Sequence, residues 1–278
     1  MRIIIFSKMF QQYDVNSLSA LGQELGAEGW DLAVRRGHPV SPDNVEKALP
    51  AAVKRLGEAG QPVLAVTGET DLLYPSTPYV EPLLRAMDAS GVRVLKLGYF
   101  LFDLAKQQYW QEVDNVRRAL DGWQKLARRY NVKVVYHTHS GPAYMGTNAS
   151  ALMHLLRDFD ASLIGAYLDT AHLLINGEPF AFALAIVKPY LTMVGLKDAK
   201  PTLQPLGDEH RLTWDVVPAG QGGVVWSEVF RLLAKEGFAG PCSVHTEFRV
   251  PAGTSFVKMV QAEVAYLRKK RDSVLAGG

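Results

Sequence analysis

Along the chain, short runs dominated by β-branched and aromatic residues alternate with longer stretches whose apolar positions recur every three or four residues, from one end to the other. The short runs are residues 2–6 (RIIIF), 30–34 (WDLAV), 62–68 (PVLAVTG), 92–98 (VRVLKLG), 132–139 (VKVVYHTH), 163–169 (LIGAYLD), 191–197 (LTMVGLK) and 240–247 (GPCSVHTE), and they read as strands. The helical spacing predicts helices at about 14–28, 43–59, 79–90, 107–130, 148–158, 179–188, 224–236 and 253–272. Asp14, Ser41-Pro42-Asp43 and Asn148 supply plausible helix starts. Eight strand–helix units with no linker-like block between them predict an α/β chain folded as one (β/α)8 barrel over residues 1–278. An open nucleotide-binding sheet would carry a glycine fingerprint after its first strand, and SKMFQQYD contains no glycine.

Composition narrows the picture without naming a chemistry. With 278 residues, 48% hydrophobic and 21% charged, the chain suits a globular barrel. A formal charge of +2 is too small for a general nucleic-acid binder. No run approaches the roughly 20 apolar residues of a membrane span. The lone Cys242 excludes an internal disulfide framework, and the apolar run of MRIIIFSKMF is too short for a signal peptide, so a cytoplasmic location is expected. YLRKKR at 266–271 reads as the solvated last turns of a helix. The residues leave a homo-oligomer open.

In a barrel of this kind the chemistry sits at the C-terminal ends of the strands and in the loops that follow. Those ends give Ser7 and Lys8, Arg35 to His38, Glu69, Lys96, His137 and His139, Asp169 and His172, Lys197 and Asp198, then His245 and Glu247. Strand alternation places His137 with His139, and His245 with Glu247, on shared faces. Imidazole is the commonest metal ligand and carries protons near neutral pH. Asp169 ends its strand and precedes His172 by three residues, a spacing that serves either a helix cap or a ligand pair. Lys96 and Lys197 interrupt apolar strands, and an inward lysine is costly unless it meets a carboxylate or a polar substrate. The glycine-rich PAGQGGVVW (218–226) can offer N–H groups to a phosphate, although glycines before a helix usually serve the turn.

Four segments carry a resemblance: LDTAH (168–172), VGLKDAK (194–200), GPCSVHTEF (240–248) and VKVVYHTHSG (132–141). They resemble the corresponding segments of the xylose isomerase-like TIM barrels, a family of sugar isomerases and epimerases, inosose dehydratase-type enzymes and apurinic endonucleases, and the likeness covers essentially the whole chain. Asp169 and His172 match the family's Asp-Thr-x-His. His137 stands where the resemblance implies a strand-5 glutamate ligand, Gly195 where it implies a strand-7 histidine, His245 where it implies a strand-8 glutamate, and Gln221 in place of the glutamate of a Gly-Glu-Gly loop. The family's two glutamates both bind the metal and shuttle the proton, so that mechanism does not transfer intact.

What the residues offer instead is His137, Asp169 and His245, a nitrogen-rich set suited to Zn, Mn, Co or Fe rather than Mg, with Gly195 leaving a gap for water or substrate. Its affinity is expected to fall below about pH 6.5, where free imidazole protonates. The expected function is a metal-dependent isomerase, epimerase or dehydratase acting on a sugar or other small polyhydroxylated carbonyl compound. Glu247 or His139 would exchange the proton, Lys197 would steady the enolate oxygen, and His172, Lys96 and Glu69 would contact substrate. The alternative is a barrel that binds a sugar-like ligand without turnover. An endonuclease would need more metal ligands and a more basic surface.

Overall fold

The computed structural model describes residues 1–277. Its strands are β1 Arg2–Phe6, β2 Trp30–Ala33, β3 Val63–Thr67, β4 Val94–Lys96, β5 Lys133–His137, β6 Ile164–Asp169, β7 Leu191–Leu196, β8 Asp198–Leu206, β9 Glu209–Val217 and β10 Pro241–Val244. Its helices are α1 Val15–Leu25, α2 Val45–Glu58, α3 Val80–Ser90, α4 Tyr109–Arg129, α5 Ala149–Leu156, α6 Thr170–Ile175, α7 Phe180–Val187, α8 Trp226–Lys235 and α9 Phe256–Ala276. Eight of the strands close in the order β1-β10-β7-β6-β5-β4-β3-β2, every neighbour parallel. This is the single-domain (β/α)8 barrel that the alternation predicts.

Inside the barrel, Ile4, Ala65, Val135 and Met193 project from β1, β3, β5 and β7 and pack with Tyr167 of β6. A layer drawn from alternate strands is how a barrel of eight fills its bore. A larger apolar shell lies between the strands and the helices. Among the inward groups, Asp31 of β2 is polar and fully buried: its carboxylate accepts from Thr67 Oγ1 at 2.7 Å and Ser243 Oγ at 3.0 Å. Lys96, also buried, lies with its Nζ 3.7 Å from the centre of the Tyr99 ring.

Two of the expected helix starts are built as read, since Asp14 accepts from Ser17 N–H and Asn148 from Ala151 N–H. α2 begins later than expected, with Asn44 as its cap residue. Three features were not anticipated. Between β7 and α8, where the sequence suggests only a loop, β8 and β9 form an antiparallel hairpin running from the Asp198–Val217 pair to Leu206–Glu209. A separate short helix, α6, follows β6 directly, capped by Asp169 as one reading of its spacing allows. In the basic run at 266–271, Arg271 is not solvated: it is buried and grips Glu28 with both terminal nitrogens, closing the lower end of the barrel. Among the described residues, no helix is long and apolar enough to cross a membrane.

Candidate active site

Strand ends deliver the polar groups to one mouth. A cavity of about 660 Å3 opens there, and His137, His139, His172, His245 and Glu247 are all on its wall. β5 ends at His137, so His139 lies beyond the strand rather than on its face, yet its ring reaches the same cavity and stacks on His172 at 4.1 Å. β10 likewise ends at Val244, before His245 and Glu247.

At the cavity floor His137, Asp169 and His245 converge, all buried, each offering a ligand atom within 4.8 Å of the others. Asp169 Oδ2 stands 3.4 Å from His137 Nε2 and 3.3 Å from His245 Nδ1. These gaps are long for a charge-assisted hydrogen bond, which closes to about 2.7–2.9 Å. They match two donors sharing a tetrahedral ion, which stand about 3.3–3.4 Å apart when each bond is about 2.0–2.1 Å. His137 Nε2 and Asp169 Oδ2 are both buried without a hydrogen-bond partner, a costly state in a protein interior and one that a cation relieves. The far nitrogens of the imidazoles are held: Tyr99 Oη lies 3.2 Å from His137 Nδ1 and Tyr167 Oη 2.7 Å from His245 Nε2. Orientation of a ligating imidazole through its second nitrogen is what a metal site requires. The residues present therefore fit a divalent ion.

Electrostatics agree with that fit. Burial alone would push the Asp169 carboxyl up, but His172 and the facing imidazoles outweigh it and hold it well below the usual carboxylate range. Its Oδ1 also accepts from Ala171 and His172 N–H. Burial keeps His137 neutral far below its ordinary value, against the pull of Asp169. Loss of metal affinity by protonation of His137 is thus displaced to a pH lower than the 6.5 of a free imidazole. Gly195 leaves no gap for water: a Cβ there would stand 2.8 Å from Asp169 Oδ2, so the space that the missing side chain frees is taken by the Asp169 carboxylate itself.

Glu247 bonds Lys197 Nζ at 2.5 Å through Oε2 and Lys8 Nζ through Oε1. Burial would raise its carboxyl, yet Lys197, His245 and Lys8 hold it well below the ordinary range. The other expected substrate contacts fare unequally. His172 lines the cavity, with Ser140 Oγ 2.8 Å from its Nδ1. Neither expected lysine reaches the cavity wall: Tyr99 covers Lys96, and Lys197 ends on Glu247. Glu69 stands off as well, its carboxylate taken by the backbone N–H of Arg36 at 2.6 Å. The suggested phosphate loop is occupied from within: Gly220, Gly222 and Val224 N–H all donate to the Asp198 carboxylate.

Tyr99, Tyr167, Ser140 and Tyr144 escaped the reading of strand ends. Tyr167 was within reach of it, since it precedes Asp169 by two residues on β6 and so shares its face.

Burial fixes a pH dependence of stability. His139 is pushed down to about 4 and His172 to about 3, each mainly by burial. Unfolded histidine titrates near 6.5, so as pH falls the unfolded chain takes up these protons first. Stability fully present above pH 6.5 is then lost through the window down to about 4 for His139 and about 3 for His172. Unfolding free energies of metal-free protein from urea titrations at pH 6, 5 and 4 are expected to fall, by about 1.4 kcal/mol per pH unit for each group in its window. A flat profile would contradict the burial assigned to the two rings.

Comparison with known proteins places this geometry in a lineage. An inosose dehydratase of Bacillus thuringiensis (strain Al Hakam) is 30% identical over 132 residues, 44% of this chain and 43% of the relative. An inosose dehydratase 2 of Bacillus cereus is 31% identical over 149 residues, 49% of this chain and 48% of the relative. The matches thus span about half the length of these curated relatives. Among solved structures, a 3-keto-D-glucoside 4-epimerase from E. coli superposes with a TM-score of 0.74 at 18% identity, over 97% of this chain and 99% of that one. A D-tagatose 3-epimerase-like protein gives 0.75 at 16% identity, over 100% and 99%. At such identities the structures speak for the fold alone. The sequence model of the xylose isomerase-like TIM barrel matches residues 20–270, and with it the expected family is reached: this chain belongs to the xylose isomerase-like TIM barrels.

Proposed function

We propose that the chain is a metal-dependent isomerase, epimerase or dehydratase acting on a keto sugar or a similar polyhydroxylated ring. The observation that carries the reading is the buried His137, Asp169 and His245 set, with two unpartnered ligand atoms at the floor of a cavity walled by ionisable groups. Names of the relatives support the same class: inosose dehydratase, and epimerases of keto sugars. When held by these three residues, an ion such as Zn, Mn, Co or Fe supplies Lewis acidity toward a hydroxyl–carbonyl pair.

The chain's own residues supply the proton transfers. The Ser140 carbonyl lies 2.8 Å from His139 Nδ1 and only accepts, so that nitrogen carries the hydrogen and Nε2 presents a lone pair. Burial keeps the ring unprotonated at neutral pH. His139 is therefore assigned the base that takes the proton from the carbon beside the carbonyl. Lys197 and Lys8 clamp Glu247, and the Lys197 ammonium behind that carboxylate adds positive potential toward the oxygen on which negative charge grows, while Glu247 stays ionised instead of moving the proton itself. Release of that proton from His139 to solvent, with solvent protonating the other face of the carbon, gives an epimer. Departure of a neighbouring hydroxyl as water gives a dehydrated product.

The test is solvent exchange. Metal-loaded protein in D2O, given 2-keto-inositol and a panel of ketohexoses, is expected to wash deuterium into the carbon next to the carbonyl of at least one compound, and the chelated protein to stop doing so. Saturable binding without exchange under any of the four metals would favour the non-catalytic, ligand-binding barrel.

A further inference from the structure

The cavity is larger than the proposed chemistry needs. Its roughly 660 Å3 lie in the middle of the about 300–1,000 Å3 range of sites that enclose drug-sized ligands, whereas the reacting groups occupy only its deep end. Outward, the wall changes character. Leu73 and Tyr74 from the β3–α3 loop, Phe100 and Leu101 from the β4–α4 loop and Val116 of α4 face the same space. Tyr74 is 53% exposed and Leu101 58%, so two large apolar side chains are left against water on a concave surface. A continuous apolar wall in a cavity marks a binding surface more often than a scatter of single exposed residues does.

That wall is prebuilt. Phe100 holds Tyr74 edge-on at 5.7 Å, Phe100 N–H donates to Tyr136 Oη, and the loop is laced to the segment after β5 by Phe102 N–H to Ala143 O and Met145 N–H to Phe100 O. A free sugar or cyclitol bound with its carbonyl at the histidine-lined end has only the small C–H patch of one ring to offer, too little to cover this half as well. A phosphate is also ill matched, because the polar groups at this end include Asp71 and Glu112, both acidic. The cations lining the cavity are engaged, Lys8 by Glu247 and Arg35 by Gly68 O.

We propose that the outer half of the cavity is a subsite for a flat, uncharged apolar group joined to the reacting ring, so that the substrate is a glycoside-like conjugate of a keto sugar and not a free or phosphorylated one. The ring carrying the carbonyl lies at the histidine-lined end, and the attached group lies against Tyr74, Phe100 and Leu101. This inference rests on the function proposed above for the deep end, but its own evidence is the apolar wall.

Three probes separate the possibilities by calorimetry on metal-loaded protein: 3-keto-glucose, its 6-phosphate, and phenyl 3-keto-glucoside. The phenyl compound is expected to bind at least about tenfold more tightly than the free keto sugar, the scale of one buried aromatic contact. Tyr74→Ala and Leu101→Ala, at exposed positions, are expected to erase that advantage while leaving the binding of 3-keto-glucose within about twofold. Equal affinity for all three probes, tighter binding of the phosphate, or variants that weaken the free sugar as much as the glucoside would overturn the subsite. So would a wild-type protein that binds none of them. Deuterium exchange measured alongside keeps the two readings apart. Subsite-dependent binding of the phenyl compound with no exchange upholds the subsite and removes the proposed catalysis, whereas exchange with unchanged selectivity in the variants does the reverse.

Discussion

Asp198→Ala is expected to lower the unfolding free energy by about 3–5 kcal/mol, more than any other single substitution outside the apolar core. Asp198 is fully buried, and its two oxygens accept from Ala199, Gly220, Gly222 and Val224 N–H and from Trp226 Nε1, at 2.9–3.2 Å. The carboxylate thus holds together the root of the β8–β9 hairpin, the glycine loop and the start of α8. Alanine would strand several buried donors at once, each costing about 1–3 kcal/mol when nothing replaces the acceptor. Asp198→Asn keeps one acceptor oxygen but turns an N–H2 group toward donors, and is expected to recover only part of the loss. Urea unfolding followed by circular dichroism measures this. A shift below about 1 kcal/mol at unchanged m-value would show that the loop is held by something else.

The same residue shows where reading the sequence stops. Strand ends were legible because buried parallel strands write near-continuous apolar runs, and the mouth of the barrel then collects whatever polar residue follows each run. His137, Asp169, His172, His245 and Glu247 were found in that way. Asp198 belongs to the same set of strand ends, but its partners are backbone amides some twenty positions on, and nothing in the spacing tells a carboxylate facing a site from one facing its own loop. Glu69 illustrates the same ambiguity, being spent on Arg36. The hairpin was missed although Gly207-Asp208 between two extended runs is a hairpin signal, because Pro201 and Pro205 break the apolar pattern that a strand is recognised by. In the sequence Gly195 reads as an opening, whereas in the folded chain it is what allows Asp169 to sit where it does. Tyr99 and Tyr167 act on the imidazoles across strands, a relation that only the closed barrel creates.

The largest expected effect concerns the ion. Removing Asp169 takes away the only carboxylate of the three-residue set and leaves two buried imidazoles facing each other, so affinity for a divalent metal is expected to fall by more than about 100-fold, beyond the 10–100-fold typical of losing a supporting neighbour. Asp169→Ala also removes the α6 cap, worth about 1 kcal/mol. Asp169→Asn separates the two effects, because its oxygen still accepts from Ala171 and His172 N–H while the charge at the Oδ2 position is gone. The decisive measurement is calorimetric titration of metal-stripped wild-type protein and both variants with Zn and with Mn near pH 7. The His137, Asp169 and His245 centre predicts one ion bound per wild-type chain and loss of that binding in Asp169→Ala and Asp169→Asn alike. No heat from the wild type with either ion, or equal binding by the variants, would contradict it.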